Sequence, residues 1–262
     1  MTKVLLVGCG KMGSALLAGW LDRGLAAADV VVVEPNGAAI PVTVVADHAA
    51  IPGGFIPDVV VLAVKPQVMA QVLPPYARFG GAVFLSIAAG KTIAFFEGLL
   101  GGAAAVVRAM PNTPAAVRRG ITVCCANATA DTGRRDLCQG LLEAVGEVGW
   151  VEDEGLMDAV TAVSGSGPAY VFLLAEVMAA AGVAQGLPAE LADRLARATV
   201  SGSGELLYRS SEAAGQLRQN VTSPGGTTAA ALAVLMDEAT GMGPLMRQAV
   251  AAATRRGREL AG

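Results

Sequence analysis

The feature that most constrains the fold is a G-x-G-x-x-G pattern formed by Gly8, Gly10 and Gly13. It follows an apolar, strand-like run at residues 3–7 and opens a helical run at residues 12–22. In this setting the first glycine permits a tight turn, the second lets backbone approach a pyrophosphate, and the third lets helix and strand pack closely. The pattern predicts a dinucleotide-binding βαβ unit. A tight glycine turn without a ligand is the alternative.

An acidic residue, Glu34, lies 21 positions after Gly13, at the end of a second strand-like run at residues 30–34. An acid at this place accepts hydrogen bonds from the adenosine ribose hydroxyls and repels a 2′-phosphate. The sequence has no Lys or Arg between Arg23 and Lys65 that could receive such a phosphate. We therefore predict NADH or NADPH as cofactor, with NADH preferred. A solvated carboxylate at a strand end is the alternative.

Short Val/Leu-rich runs alternate with helical runs through the first part of the chain. Continuous apolar runs, as at residues 59–64, are typical of parallel strands that are covered on both faces. Helical runs at residues 12–22 and 66–78 lie between such strands. The predicted strands are residues 3–7, 30–34, 42–45, 58–64, 82–87, 105–108, 121–125 and 147–151.

The pattern changes after about residue 154, where Ala/Leu-rich helical runs replace the strands. These runs are residues 168–182, 188–208, 226–239 and 244–260. We therefore predict an α/β fold, in which a Rossmann-type dinucleotide-binding domain at residues 1–154 is followed by an all-α domain at residues 155–262. A helical module this apolar would expose much of its surface alone, which indicates an oligomer interface.

Composition excludes several classes of protein. With 53% hydrophobic and 16% charged residues the chain is not disordered. A net charge of −3 without a long basic run gives no support for a nucleic-acid or anionic-membrane partner. The mean hydropathy of +0.54 raises the question of a membrane span. However, the apolar stretch at residues 159–175 has Ser164-Gly165-Ser166-Gly167-Pro168 at its centre, which would break a helix in lipid, so we predict buried core and no membrane.

The single histidine excludes a His-rich metal site within one chain, and the spacing of the cysteines gives no C-x-x-C metal motif. None of Cys9, Cys124, Cys125 and Cys138 forms a C-x-x-C pair, and the only histidine is His48. Neighbouring cysteines in a strand point to opposite faces, so we expect small core side chains in a reducing compartment. The N-terminal run has no signal-peptide cleavage pattern, and we expect a cytoplasmic protein with no metal.

Three further segments stand at the ends of predicted strands, at residues 63–67, 86–90 and 108–114. Open α/β sheets bind ligands along this edge. Small residues in the second segment let a cofactor lie close to the backbone, and the Asn112 amide can bond a carboxamide such as that of nicotinamide. Ordinary βα-loops and a structural proline turn are the alternatives.

A Gly-Gly pair, Gly225 and Gly226, stands at the start of the predicted helix at residues 226–239. Such a helix start exposes several unpaired N–H groups, here beside the hydroxyls of Ser223, Thr227 and Thr228. This arrangement suits a small carboxylate. A helix N-terminus without a ligand is the alternative.

In order and spacing, the segments at residues 63–67, 108–114, 164–170 and 221–228 resemble the pyrroline-5-carboxylate reductase family. The most specific mark is Ser223-Pro224-Gly225-Gly226 followed by Thr228. The resemblance implies reduction of the C=N bond of 1-pyrroline-5-carboxylate to L-proline by NAD(P)H, the final step of proline biosynthesis. It also implies a helical domain that intertwines with a second copy to form a homodimer, and dimers that often assemble into larger rings.

The resemblance also implies a role for individual residues. The cofactor pyrophosphate would lie on Gly8, Gly10, Lys11 and Met12, its ribose and nicotinamide beside Ala63, Lys65 and Pro66, and its nicotinamide end near Ala88, Ala89, Met110 and Asn112. The substrate carboxylate would lie on Ser223, Gly226 and Thr227, with the catalytic Thr228 hydroxyl facing the ring nitrogen. This chain departs from the family in a shortened stretch at residues 34–48 and in His48, where the family commonly has Asn near the adenosine ribose.

Two rival functions remain open at this stage. A 3-hydroxyacid dehydrogenase would resemble this chain but commonly takes its base from a lysine in the helical domain, whereas Lys3, Lys11, Lys65 and Lys91 all precede residue 154. A catalytically silent NADH sensor would share the fold and lack turnover. A six-membered cyclic imine acid also stays open as substrate, since one methylene is worth only about 1–3 kcal/mol.

Overall fold

A computed structural model describes residues 2–261. The strands of its sheet are β1 Val4–Val7, β2 Val30–Val33, β3 Thr43–Val45, β4 Val59–Leu62, β5 Val83–Ser86, β6 Ala105–Met110, β7 Gly120–Ala126 and β8 Gly146–Trp150. They are ordered β3-β2-β1-β4-β5-β6-β7-β8. Neighbours are parallel except β6 and β7, which are antiparallel. The predicted α/β class with a Rossmann-type sheet is therefore confirmed.

The continuous apolar runs form strands that are buried on both faces. Every residue of β1, β2, β4 and β5 is buried. Alternate side chains enter two separate cores, with Leu6 in one and Leu5 in the other. Cys124 and Cys125 divide between the same two cores, as predicted. Helices therefore cover both faces of the sheet.

The helices fall into two compact units. The first unit comprises residues 2–165 with residues 253–261, and the second comprises residues 166–252. Within residues 2–165 the helices are α1 Lys11–Asp22, α2 Met69–Val72, α3 Ile93–Leu100, α4 Thr132–Leu142 and α5 Met157–Val160. The later helices are α6 Gly167–Ala184, α7 Ala189–Arg209, α8 Ala214–Asn220, α9 Thr227–Leu235 and α10 Met242–Ala261, and the last residues of α10 belong to the first unit.

Two expectations about local structure were wrong. The run at residues 66–78 does not form one helix, because it divides into a 3₁₀ turn at Pro66–Val68, the short α2, and a second 3₁₀ stretch at Pro74–Phe79. Prolines at 74 and 75 lack the N–H groups that a continuing α-helix needs. The buried core predicted at residues 159–175 is also not formed within the described chain, where Ala162 is the one buried residue of that stretch.

The second unit buries few of its apolar side chains. Among the described residues α6, α8 and α9 have no buried side chain, and α7 buries only Ala192 and Ala196. Phe172 and Leu173 of α6 are 64% and 55% exposed. The helical stretch Glu154–Ala184 is long and apolar enough to cross a membrane by length and composition, with none of its most apolar window buried.

The glycine- and serine-rich segment before α6 does not interrupt this helical stretch. Instead a π-helical turn, Thr161–Gly165, joins α5 to α6. The Oγ1 of Thr161 donates to the carbonyl of Met157 at 2.8 Å, and the Oγ of Ser164 donates to that of Val160 at 3.1 Å. These bonds satisfy hydroxyls within the helix, so the predicted break is a local widening of the turn.

Candidate active site

The glycine loop between β1 and α1 has the geometry that its pattern predicts. Gly8 has φ of +89°, which favours glycine, and any Cβ there would lie 2.9 Å from the Val64 side chain. A Cβ at Gly13 would lie 2.6 Å from the Gly8 carbonyl oxygen, so the helix start packs directly on the turn. A Cβ at Gly10 would meet no atom within 4 Å. The loop therefore leaves open space at its second glycine.

The start of α1 provides unpaired donors beside that space. The first N–H to bond within the helix is that of Ser14, which donates to the Gly10 carbonyl at 2.8 Å. The N–H groups of Lys11, Met12 and Gly13 precede it and have no acceptor in the helix. With the helix dipole, these donors suit the pyrophosphate of a dinucleotide, and the exposed Lys11 side chain adds a positive charge.

The Glu34 carboxylate is held against the glycine loop. Its Oε2 accepts the backbone N–H of Cys9 at 2.9 Å. Its Oε1 accepts the backbone N–H of Asn36 at 3.3 Å and the Asn36 amide at 3.4 Å. Burial, and then the negative charge of Glu34, raise the pKa of the Cys9 thiol, which therefore stays neutral beside this acid.

His48 follows β3, at the same edge of the sheet as Glu34. The Asp47 carboxylate accepts the N–H of Ala49 at 2.7 Å and so fixes the 3₁₀ turn that His48 begins. The His48 ring lies edge-on to Tyr76, with centroids 6.3 Å apart. Its Nδ1 is buried without a hydrogen-bond partner among the described residues. The His48 carbonyl accepts the guanidinium of Arg78 at 2.7 Å.

The next two strand ends present small residues and backbone. Ala63 continues β4 and donates its N–H to the Val7 carbonyl at 2.8 Å. Lys65 is exposed, and Pro66 begins the 3₁₀ turn behind it. After β5, the buried Ser86 hydroxyl accepts the Ala88 N–H at 3.2 Å, which leaves Ala89 exposed at the edge.

Asn112 has a structural bond as well as a place at this edge. Its Oδ1 accepts the N–H of Ile121 at 3.0 Å and thereby ties the end of β6 to the start of β7. Met110, the last residue of β6, is half-buried beside it. Because β2, β1, β4, β5 and β6 are parallel neighbours, the fold brings the predicted cofactor residues of the first unit to one sheet edge.

The predicted substrate residues form a tight turn in the second unit. Gly225 has φ of +69°, and the Gly226 N–H donates to the Ser223 carbonyl at 3.1 Å. Helix α9 begins at Thr227, and Gly226 at its N-cap provides no side-chain acceptor for the first-turn N–H groups. Thr228 is half-buried, whereas Ser223 and Thr227 are exposed. The turn thus presents backbone donors and three hydroxyls.

A partly buried ion pair, which was not predicted from the sequence, lies next to the predicted site. The Arg108 guanidinium donates to Glu154 Oε1 at 2.8 Å, and the same oxygen accepts the Ile93 N–H at the start of α3 at 2.8 Å. Arg108 is buried inside an otherwise apolar strand, which is a signal that the sequence did contain. The pair ties β6 to the segment that leads into α5.

Comparisons with known proteins agree with this geometry. Residues 154–260 match the model of pyrroline-5-carboxylate reductase dimerisation, and residues 3–90 match that of NADP oxidoreductase, coenzyme F420-dependent. The chain is 39% identical to the pyrroline-5-carboxylate reductase of Pseudomonas aeruginosa, over 99% of this chain and 97% of that one. This chain belongs to the pyrroline-5-carboxylate reductase family.

Solved structures of pyrroline-5-carboxylate reductases have the same fold along their whole length. The Coxiella burnetii enzyme has a TM-score of 0.91 and 34% identity, covering 100% of this chain and 99% of that one. The Plasmodium falciparum enzyme, solved with NADP bound, has a TM-score of 0.83 and 29% identity, covering 100% and 98%. The family resemblance and the reductase class predicted from the sequence are confirmed.

Proposed function

We propose that this chain reduces the C=N bond of 1-pyrroline-5-carboxylate to L-proline, with NADH as preferred hydride donor. The observation that carries the proposal is the pairing, in one chain of this family, of a dinucleotide loop at Gly8–Gly13 with a donor-rich turn at Ser223–Thr228. The first suits a pyrophosphate and the second a small carboxylate. We assign the first to residues 1–154 and the second to residues 155–262.

The residues of the first unit fit a nicotinamide dinucleotide. The open space at Gly10 and the first-turn N–H groups of α1 would receive the pyrophosphate. His48 lies at the sheet edge proposed for the adenosine, with its Nδ1 buried away from solvent. The whole set of proposed cofactor residues is Gly8, Gly10, Lys11, Met12, Gly13, Glu34, His48, Ala63, Lys65, Pro66, Ala88, Ala89, Met110 and Asn112.

NADH preference rests on Glu34. Its carboxylate, held by the Cys9 N–H, would accept the ribose hydroxyls and repel a 2′-phosphate. The P. falciparum relative binds NADP, so NADPH is the competing donor. The nearby Arg78 guanidinium donates to the His48 carbonyl and lies 4.8 Å from the Phe79 ring centroid. Because the Arg78 guanidinium already makes these two contacts, it is not free to bind a 2′-phosphate beside His48.

The turn at the start of α9 would bind the substrate. We assign the carboxylate to the Ser223 hydroxyl and to the backbone N–H of Thr227, with Gly226 at the N-cap beside it, since a helix start stabilises an anion. The Gly226 N–H itself donates to the Ser223 carbonyl and so holds the turn in shape. The half-buried Thr228 hydroxyl would hydrogen-bond the ring nitrogen. These contacts orient the imine, and orientation supplies much of the rate in such a reaction.

The chemistry divides between the cofactor and the protein. NADH, when bound, supplies the hydride that reduces the imine carbon. The imine nitrogen gains a proton in the same reaction, and Thr228 would donate a hydrogen bond that polarises the C=N bond. A threonine hydroxyl is too weak an acid to give up its proton, so Thr228 would donate its hydrogen bond to the nitrogen lone pair of the neutral imine, and a water molecule would supply the proton that the nitrogen gains. Toward a substrate that is already protonated, the same hydroxyl would instead accept the N–H.

We further propose that the chain works as a homodimer in the cytoplasm, with dimers able to form a larger ring. Support comes from the exposed apolar side chains of α6 and from the dimerisation model matched by residues 154–260. The same match favours a protein partner over a membrane for the apolar stretch Glu154–Ala184. The four cysteines are unpaired, which agrees with a reducing compartment.

The deciding experiment is oxidation of NADH by the purified chain with racemic pyrroline-5-carboxylate, with NADPH in parallel and proline detected as product. Faster turnover with NADH is the expected outcome. Faster turnover with NADPH would keep the reaction and reject the Glu34 argument. Tight NADH binding without turnover would instead favour another cyclic imine acid or an NADH sensor.

Thr228 is tested by two substitutions. Thr228→Ala is expected to lower kcat about a hundredfold, since positioned proton and hydrogen-bond donors are worth about that much. NADH affinity is expected to stay at its wild-type value. Thr228→Ser keeps the hydroxyl and should retain most of the turnover. Equal kcat in the alanine variant and the wild type would reject the contact with the ring nitrogen.

A further inference from the structure

The last residue of the π-helical turn, Gly165, lies directly against the side chain of Met110. A methyl group at Gly165 would be 2.6 Å from the Met110 Cε atom. Carbon atoms in contact are normally about 3.5–4.0 Å apart. Glycine therefore leaves room for the Met110 methyl group where it lies. Because that atom is the free end of a flexible side chain, an added Cβ would move the methyl group rather than the backbone. Both residues belong to the first unit.

Space, rather than backbone freedom, explains the glycine. Gly165 is not among the glycines with positive φ, so its backbone conformation is open to alanine. Glycine normally weakens a helix, which makes its presence in a helical turn costly without a packing reason. A π-turn at this point re-aims the backbone, and such turns are frequent at functional sites.

Met110 lies at the edge of the sheet proposed to bind the cofactor. Met110 ends β6 at the sheet edge where the other proposed cofactor residues stand, two residues before the fixed Asn112. Its thioether is flexible and can occupy several places at that edge. Contact with the Gly165 backbone restricts the conformations of the Met110 side chain, and its methyl group lies against the turn.

We propose that Gly165 is a positioning residue for hydride transfer, because it sets where the Met110 thioether lies beside the nicotinamide. This inference rests on the proposed function, since it takes Met110 to border the nicotinamide end of the cofactor. Gly165 itself would touch neither the cofactor nor the substrate. It acts through Met110.

The test is Gly165→Ala in the full-length protein. The added methyl group displaces the Met110 methyl by about 1 Å, and a misplacement of that size can reduce rate up to about a hundredfold. We expect kcat to fall at least tenfold and the Kd for NADH to change less than threefold, since the glycine loop and Glu34 are untouched. Gly140→Ala in α4, where a Cβ meets no atom within 4 Å, is the matched control and should behave as wild type.

A double variant separates positioning from a merely structural role. Met110→Ala removes the displaced atoms, so Gly165→Ala combined with Met110→Ala should have the kcat of Met110→Ala alone. A purely structural defect at Gly165 would persist in the double variant, and that result would overturn the proposal.

The methyl resonance of Met110 gives a readout that does not depend on turnover. With ¹³C-methyl methionine, the resonance missing in Met110→Ala identifies Met110. It should shift in Gly165→Ala and on NADH addition to the wild type, and stay in place in Gly140→Ala. An unmoved resonance in either of the first two cases overturns the proposal. Failure of the wild type to reduce pyrroline-5-carboxylate would reject the proposed function alone, because the NADH titration still tests the placement of Met110.

Discussion

The two units of this chain differ in how far they bury their apolar side chains. In the first unit, Leu6, Val61 and Leu85 are fully buried in strands that helices cover on both faces. In the second unit, α6 has Glu176 as its single charged residue, yet it buries no side chain among the described residues. The first unit therefore completes its own core, whereas the second leaves apolar surface exposed, as the proposed dimer requires.

The largest expected effect comes from a charge on the exposed face of α6. Phe172→Asp would place a carboxylate in the proposed dimer contact, and burying an unpaired charge costs several kcal/mol. We expect light scattering to show loss of the dimer, with loss of helical signal from the second unit. Both tryptophans, Trp20 and Trp150, lie in the first unit, so their fluorescence should report that it stays folded.

A matched substitution in the first unit sharpens that test. Ile56 is 75% exposed, more than Phe172 at 64%, but it lies in the first unit, outside the proposed dimer contact. Ile56→Asp should change stability by no more than about 0.5 kcal/mol, as for ordinary surface positions. Equal damage from the two substitutions would contradict the distinction between the units.

The next largest effect is expected from a cavity in the first core. Leu6 is fully buried, and Leu6→Ala should lower the free energy of unfolding by about 2–5 kcal/mol. The loss, followed by Trp20 fluorescence in urea, should be independent of protein concentration, because this core lies within one chain. Val117→Ala, at a side chain 70% exposed, is the control. A concentration-dependent loss for Leu6→Ala would show that the first unit also depends on a partner.

Alkaline pH should affect the first unit through Tyr76. Burial raises the pKa of Tyr76 from 10 to about 12, so the folded state disfavours the phenolate. The stabilisation is fully present below pH 10 and is lost as pH rises through 12, amounting to roughly 2–3 kcal/mol. Urea unfolding followed by Trp20 fluorescence between pH 9 and pH 12 measures it.

Tyr76→Phe should reduce that alkaline loss by roughly 2–3 kcal/mol, since the phenylalanine has no proton to release. The remaining loss belongs to the buried thiols of Cys124 and Cys138, because burial raises the pKa of both. Tyr208→Phe is the control, because Tyr208 is 53% exposed and lies in the second unit. An unchanged alkaline slope in Tyr76→Phe would assign the loss of stability to other groups.

The smallest effect is expected at Glu34, and it should concern cofactor choice alone. Glu34→Ala removes the acceptor for the ribose hydroxyls and the repulsion of a 2′-phosphate, so the NADH over NADPH ratio of kcat/KM should fall about tenfold, or about 1.4 kcal/mol. Glu147→Ala, an exposed acid in β8, is the control. An unchanged ratio would remove Glu34 from cofactor selection. The dimer should be unaffected in both variants.

Much of the fold could be predicted from local sequence. Continuous valine runs indicated strands buried on both faces, and Gly8, Gly10 and Gly13 indicated the turn that joins β1 to α1. These features are local because backbone conformation and side-chain alternation act within a few residues. The proline pair at residues 74 and 75 is an equally local indication that an α-helix ends there. The prediction of a single helix at residues 66–78 did not take it into account.

The order of the elements and the residue types at each strand end therefore follow from the amino-acid sequence. Which of those residues bond to one another depends on the folded chain. It placed the Cys9 N–H on Glu34 across 25 residues and Arg108 on Glu154 across 46. It also packed Met110 against Gly165 and placed the Ile121 N–H on the side-chain oxygen Oδ1 of Asn112. Hydrogen bonds and close packing depend on distances in space. Spacing along the chain does not specify those distances, because the sheet brings distant segments together.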